Sequence, residues 1–211
     1  KRLQPSAAGK GIADGIERVR MLLVAETSRA AGDTLPDFEL ADAAGRLHRS
    51  RDLLAKGPLV LSFFRGAWCP YCDIAMRALE TVRPRLEALG ASVVGVAPTR
   101  PEELAHVADE RHLHYPMLVD VGERYARLCG VHFEVADDHV AFYRRLGIDL
   151  PAQHAGAGWE LPLPATYVVP PDGVISFAFA DADWVRRAEP DDVVEAVQRC
   201  AQAAAGDAGP G

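Results

Sequence analysis

Two cysteines separated by two residues, Cys69 and Cys72, follow directly on a β-branched and aromatic run at 59–64 and open a helical pattern that continues to about residue 89. Apolar Ile74, Met76, Leu79, Val82, Leu86 and Leu89 recur there at roughly helical spacing. A Cys-x-x-Cys pair at a strand-to-helix corner predicts a thiol redox pair. Unpaired N–H groups and the dipole at a helix start favour thiolate, lowering the pKa from the free value of about 8.5. Cys69 is placed to gain most. Pro70 suits the first helical position, where its missing N–H is not needed, and stiffens the loop between the sulfurs. One helical turn brings Cys72 under Cys69, so a mixed disulfide formed at Cys69 can be resolved by Cys72.

Beside the pair, Trp68 is expected to cover one side of the site and Arg65 to add positive charge near sulfur or substrate. The competing readings are ordinary corner packing for Trp68 and Tyr71, and a solvated loop cation for Arg65. A half zinc site is the alternative for the cysteines, but structural zinc takes four ligands. His112 and His114 are the nearest pair, one residue apart in a helix end and loop. No metal or other cofactor is expected.

The chain has 211 residues, enough for one α/β unit with decorations. Its expected division is an N-terminal helical extension at 1–31, the main domain at 32–205 and a flexible tail at 206–211. A net charge of −7 with scattered basic residues argues against nucleic acid as a partner. No apolar run approaches the roughly 20 residues that cross a bilayer, so no membrane association is expected. Four cysteines in this length do not form a disulfide framework, which points to a reducing, cytoplasmic setting. The first residue is Lys1, which leaves a removed leader open. Cys129 and Cys200 fall on apolar helix faces and are expected to be buried small hydrophobes, with a resolving role as the alternative.

Residues 11–29 read as an amphipathic helix with Ile12, Ile16, Val19 and Leu23 on one stripe. It is expected to pack on the domain or on a second subunit. A small hairpin is predicted from 38–40 and 46–48, followed by a short helix at 51–55 capped by Ser50. After the cysteine helix come a buried strand at 92–96, a helix capped by Thr99, a strand at 115–119 and a short helix at 123–128. This β, α, β, α, β, α order implies a three-layer α/β/α sandwich with right-handed crossovers. The pattern weakens over 131–158, where a helix near 140–146 is expected within an insert. Strands at 165–169 and 174–179 flank the turn Pro170-Pro171-Asp172-Gly173 and predict an antiparallel edge hairpin. A last helix starts at Pro190, and 201–211 is expected to fray.

The Cys-x-x-Cys corner, followed much later by a proline just before a strand and by an Asp-Gly hairpin turn, resembles the thioredoxin fold with its central mixed sheet. That resemblance implies a cis proline facing the thiols. Pro164 after Leu163 is the position carried over, with Pro162 as competitor. Four segments, 32–40, 63–72, 161–169 and 177–190, are similar to the alkyl hydroperoxide reductase and thiol-specific antioxidant (AhpC/TSA) family, specifically its peroxiredoxin-like members. Typical peroxiredoxins carry Pro-x-x-x-Thr-x-x-Cys. Counting back from Cys69 finds Gly66 and Ser62 at those places, and counting back from Cys72 finds Cys69 and Arg65. Any peroxide chemistry would therefore use Arg65, backbone N–H groups and the thiolate.

The resemblance implies a thiol peroxidase acting through Cys69 and a Cys69–Cys72 disulfide, recycled by thioredoxin or a similar dithiol. Arg65, Trp68, Pro70, Leu163 and Pro164 would bind substrate or stabilise the thiolate. A homodimer is common in that group. The alternative is a thioredoxin-like dithiol–disulfide oxidoreductase acting on proteins. A third reading is a redox-sensing interaction module whose surface is the 131–158 insert and the N-terminal helix.

Overall fold

The computed structural model describes residues 7–207. In chain order its elements begin with α1 (Ala7–Met21), α2 (Val24–Thr27), β1 (Glu39–Ala41), β2 (Leu47–Arg49), α3 (Ser50–Leu54) and β3 (Leu59–Phe63). The middle of the chain gives α4 (Pro70–Ala88), β4 (Ser92–Ala97), α5 (Pro101–Glu110), β5 (Met117–Val119), a 3-10 turn Val121–Glu123 and α6 (Arg124–Leu128). The last part supplies β6 (His132–Glu134), α7 (Asp137–Arg145), α8 (Leu150–Gln153), β7 (Glu160–Pro162), β8 (Ala165–Val169), β9 (Phe177–Ala180) and α9 (Pro190–Asp207).

The main sheet runs in the order β5-β4-β3-β8-β9. Its β3–β4 and β4–β5 pairs are parallel, while β3–β8 and β8–β9 are antiparallel, so the sheet is mixed with the hairpin strand β9 at one edge. β3 is buried along its whole length because it sits at the centre and is covered on both faces. Successive side chains point to opposite faces. Leu59, Leu61 and Phe63 join one apolar cluster with Val94, Val96, Tyr167 and Tyr125, whereas Val60 joins the other with the α4 and α9 side chains Met76, Leu86, Val193 and Val197. Helices therefore cover both faces, as the alternating pattern implies. Ser62 and Thr166, paired across β3 and β8, satisfy each other through a 2.9 Å hydroxyl hydrogen bond.

Several local expectations are corrected. The first helix stops at Met21, and Leu23, expected on the apolar stripe, is exposed with φ 54° at the break before α2. Ile74 is exposed, while Cys72, Met76, Leu79, Val82 and Leu86 form the buried face of α4. Two residues along a helix turn a side chain about 200° away, so Ile74 cannot share the side of Cys72 and Met76. Neither predicted capping side chain caps its helix. Ser50 lies inside α3, donating to Asp37 Oδ1 at 2.8 Å and accepting from the Phe38 N–H at 3.2 Å, and the cap before α5 is Arg100. Val174 pairs with Thr34 in an isolated bridge, so β9 begins only at Phe177. α9 runs on to Asp207, consistent with the high helix propensity of its alanines, so part of the expected frayed stretch is helical. The rest of the expected tail, 208–211, and the first six residues lie outside the described residues.

Candidate functional site

The corner between β3 and α4 is built by a glycine. Gly66 has φ 145°, open to glycine and strained for other residues, and a Cβ there would lie 2.6 Å from Trp68 Nε1. The corner as folded therefore requires glycine at this position. The next turn is pinned from outside. The Ala67 N–H donates to Thr99 Oγ1 at 3.3 Å, and Trp68 Nε1 donates to His154 Nε2 at 3.3 Å. Burial and the nearby Arg65 charge push His154 down to about 4, so it is neutral and free to accept that hydrogen.

Cys69 caps α4 and Pro70 takes the first helical position, as the sequence predicts. Cys69 and Cys72 stand at the head of α4, and the Cys72 thiol is the largest influence lowering the Cys69 pKa, to about 5, against the opposing effect of burial. Arg65, the Cys72 backbone N–H and Arg187 add to it, so the helix start contributes only part of the effect. Cys72 moves the other way, well above its ordinary value, because it is buried and holds its proton against the Cys69 anion. The pair thus divides into a thiolate and a thiol.

Arg65 is not a solvated cation. It is 2% exposed, with its guanidinium 5.1 Å from the Trp68 ring centre and 4.4 Å from that of Trp184. Its Nη2 donates to the Tyr143 hydroxyl, and its backbone N–H donates to the Cys72 sulfur at 3.4 Å. Burial works against its charge, but Tyr143 and the two sulfurs outweigh that and keep it protonated. Arg187 reaches the Cys72 sulfur with Nη2 at 3.6 Å. Trp68 stands edge-on to Tyr143 with ring centres 5.6 Å apart.

An open thiol is not what the fold provides. Cys69 is 1% exposed, inside the cluster against which half-buried Trp68 and Tyr71 pack. Leu163 is fully buried, but in the cluster on the opposite face of the sheet from the two cysteines. Pro164 is buried at the start of β8, where Ala165 pairs with Phe63, two residues before Arg65. The expected cis bond is absent, since every peptide bond among the described residues is trans. β7 is paired with β6, the Leu163 N–H is bonded to the Val131 carbonyl at 2.7 Å, and the chain is already extended on entering β8.

Tyr143, His154, Trp184, Arg187 and Thr99 were not singled out as site residues by sequence reasoning. They arrive from four separate segments, and only the Arg186-Arg187 pair offered a local sign, as part of the 177–190 resemblance. Cys129 and Cys200 are buried away from the pair. Burial pushes Cys129 up to about 12, and Cys200 lies 3.2 Å from the Ser176 hydroxyl. None of the four cysteines is in a disulfide.

Comparisons with known proteins identify the fold and the family. A peroxiredoxin of Escherichia coli, Bcp, is 29% identical over 101 residues, 48% of this chain and 64% of that protein. The thiol-disulfide oxidoreductase ResA of Geobacillus thermodenitrificans is 31% identical over 107 residues, 50% of this chain and 60% of that protein. The chain therefore spans less than two thirds of either relative. Among solved structures, peroxidoxin BcpB of Mycobacterium tuberculosis superposes with TM-score 0.64 at 24% identity over 81% of this chain and 97% of that one. Xanthomonas campestris peroxiredoxin Q gives 0.61 at 18% over 82% and 97%. Both likenesses establish the thioredoxin-like peroxiredoxin fold. The AhpC/TSA family model matches residues 31–178, a stretch that holds β3, the Cys69–Cys72 corner and the insert that carries Tyr143, and the chain belongs to that family.

Proposed function

We propose that the protein is a thiol peroxidase in which Cys69 is the attacking and Cys72 the resolving thiol. The observation that carries this reading is the division of one buried pair into a Cys69 thiolate and a Cys72 thiol beside Arg65 and Arg187. The thiolate attacks the terminal oxygen of a hydroperoxide, forming an S–O bond as the O–O bond breaks. The departing alkoxide takes a proton from solvent and leaves as the alcohol, or as water from hydrogen peroxide, and Cys69 becomes a sulfenic acid. Cys72 then bonds to the Cys69 sulfur and water departs. Two electrons have passed from the pair to the peroxide, and a thioredoxin-type dithiol returns them. Arg65, Trp68 and the backbone N–H groups of the corner orient the peroxide and balance charge as the O–O bond breaks. A chain with four cysteines, two of them in the redox pair, suits a reducing, cytoplasmic setting.

A second reading, dithiol–disulfide exchange on proteins, draws on the match to ResA and on Gly66 in place of a peroxide-binding threonine. One comparison separates them: stopped-flow consumption of hydrogen peroxide and an alkyl hydroperoxide, beside insulin disulfide reduction by the same reduced sample. Peroxide consumption far above that of free cysteine, with weak insulin reduction, is the expected result. A peroxide rate no better than free cysteine would remove the peroxidase reading.

A further inference from the structure

We propose that the Cys69–Cys72 disulfide is a strong oxidant of dithiols, because a sulfur anion is the counter-charge this site offers to two guanidinium groups and the disulfide removes it. The inference rests on the disulfide-forming chemistry above and adds the direction in which the disulfide is passed.

The argument starts from two cations without carboxylates. Arg65 is fully enclosed by Trp68, Trp184 and Tyr143, its Nε has no hydrogen-bond partner, and no ion pair involves it among the described residues. Arg187 is half-buried and donates to the backbone carbonyls of Trp184 and Arg186 and to the Cys72 sulfur. Its Nε is likewise buried and unpartnered, and among the described residues it too makes no ion pair with a carboxylate. Elsewhere the molecule pairs its arginines freely, as in Arg83 with Glu80 and Glu87 or Arg127 with Glu160. The Cys69 thiolate is thus the counter-charge that this corner contains.

A buried charge stripped of its partner is heavily penalised. Closing the disulfide strips it: both sulfurs become neutral while both guanidinium groups stay charged. The reduced form is stabilised and the oxidised form is not, the arrangement that makes a disulfide readily given away. After the Cys72 thiol, both guanidinium groups also help to lower the Cys69 pKa. At pH 7 a thiol titrating near 5 favours the reduced state by about a hundredfold over an unperturbed one.

The transfer balances as follows. A partner thiolate bonds to the Cys69 sulfur, and Cys72 leaves and takes one proton. The partner's second sulfur then bonds to its first, and Cys69 leaves as the thiolate. The partner has lost two electrons and two protons. One proton stays on Cys72 and the other goes to solvent.

The test uses the full chain. Thiol counting after stoichiometric peroxide comes first: loss of two thiols establishes the disulfide, and failure to lose them would overturn this inference together with the peroxidase reading. Denaturant unfolding of oxidised and reduced samples in parallel then isolates the inference. The reduced protein is expected to unfold at the higher midpoint, the reverse of an ordinary stabilising disulfide. An oxidised form that is the more stable would overturn the inference and leave the peroxidase reading intact. In dithiothreitol redox buffers, the equilibrium for dithiol oxidation should rise about tenfold per pH unit from pH 6 to 8, since one proton is released. A pH-independent equilibrium overturns it. Arg187→Met should lower that equilibrium at least about threefold and Arg65→Met by more. The wild-type pH slope and Arg187→Met decide the matter if Arg65→Met does not fold.

Discussion

The sulfur at position 69 is held between burial, which opposes its charge, and a ring of donors that favours it. Three consequences are measurable on single residues. Thiolate absorbance of the reduced protein should titrate with a midpoint near pH 5. Because the folded pKa lies below the ordinary 9.0, the stability contributed by this thiolate is complete above about pH 9 and is lost progressively as pH falls through 5. A midpoint above 8 would contradict the assigned charge pattern. Cys69→Ser should abolish both peroxide consumption and disulfide exchange, while Cys72→Ser should stop at one sulfenylation or a trapped mixed disulfide, each read by mass spectrometry. Tyr143→Phe removes the one side-chain acceptor of the Arg65 guanidinium. Leaving that buried donor unsatisfied should cost about 1–3 kcal/mol in chemical unfolding.

At the scale of elements, α1 matters because it closes the back of the wall that holds Arg65. It lies so close to α7 and Trp184 that a Cβ at Gly15 would meet His139 Nε2 at 2.4 Å and Trp184 Cη2 at 2.5 Å. Trp184 in turn carries the Arg65 guanidinium on its ring. Gly15→Val should therefore displace α1 or Trp184 and lower the thermal midpoint by several degrees, on the order of 1–3 kcal/mol for overpacking. A Gly15→Val midpoint equal to wild type would show that α1 is not seated on that wall. The central strands were legible in the sequence from their continuous apolar runs, and α4 from its helical spacing with Ile74 as the exception. α7 was legible only as a helix near 140–146. Nothing in Val140, Phe142 and Tyr143 announces that the Tyr143 hydroxyl ends on an arginine 78 residues earlier. That contact is made by how the insert folds back, which no local pattern carries.

Across the whole molecule, one buried carboxyl sets a pH dependence distinct from that of the thiol. Glu123 is fully enclosed, and burial raises it to about 7 despite a 2.9 Å hydrogen bond with His132 Nδ1. A folded pKa above the ordinary 4.5 means that the stabilising protonated state is complete below 4.5 and lost as pH rises through 7, on the order of 3 kcal/mol. Measured on a Cys69→Ser background to silence the thiolate, stability should fall between pH 5 and 8. Glu123→Gln should flatten that fall, and an unchanged slope would remove Glu123 as its source.

Residues 59–72 by themselves determined a thiol pair at the head of a helix, because a strand, a proline and two cysteines in that order leave the backbone few alternatives. The layered α/β order was equally local, written in which positions are apolar. Which charges face the sulfurs was decided only by the tertiary structure. Arg65 could be read as solvent-exposed or buried until Trp68, Trp184 and Tyr143 closed around it, and Arg187 had no visible role until β9 and the segment after it came back beside α4. Periodicity is a property of neighbours along the chain. The field at a buried sulfur is a sum over groups brought near it by folding, and it exists only once the chain has closed.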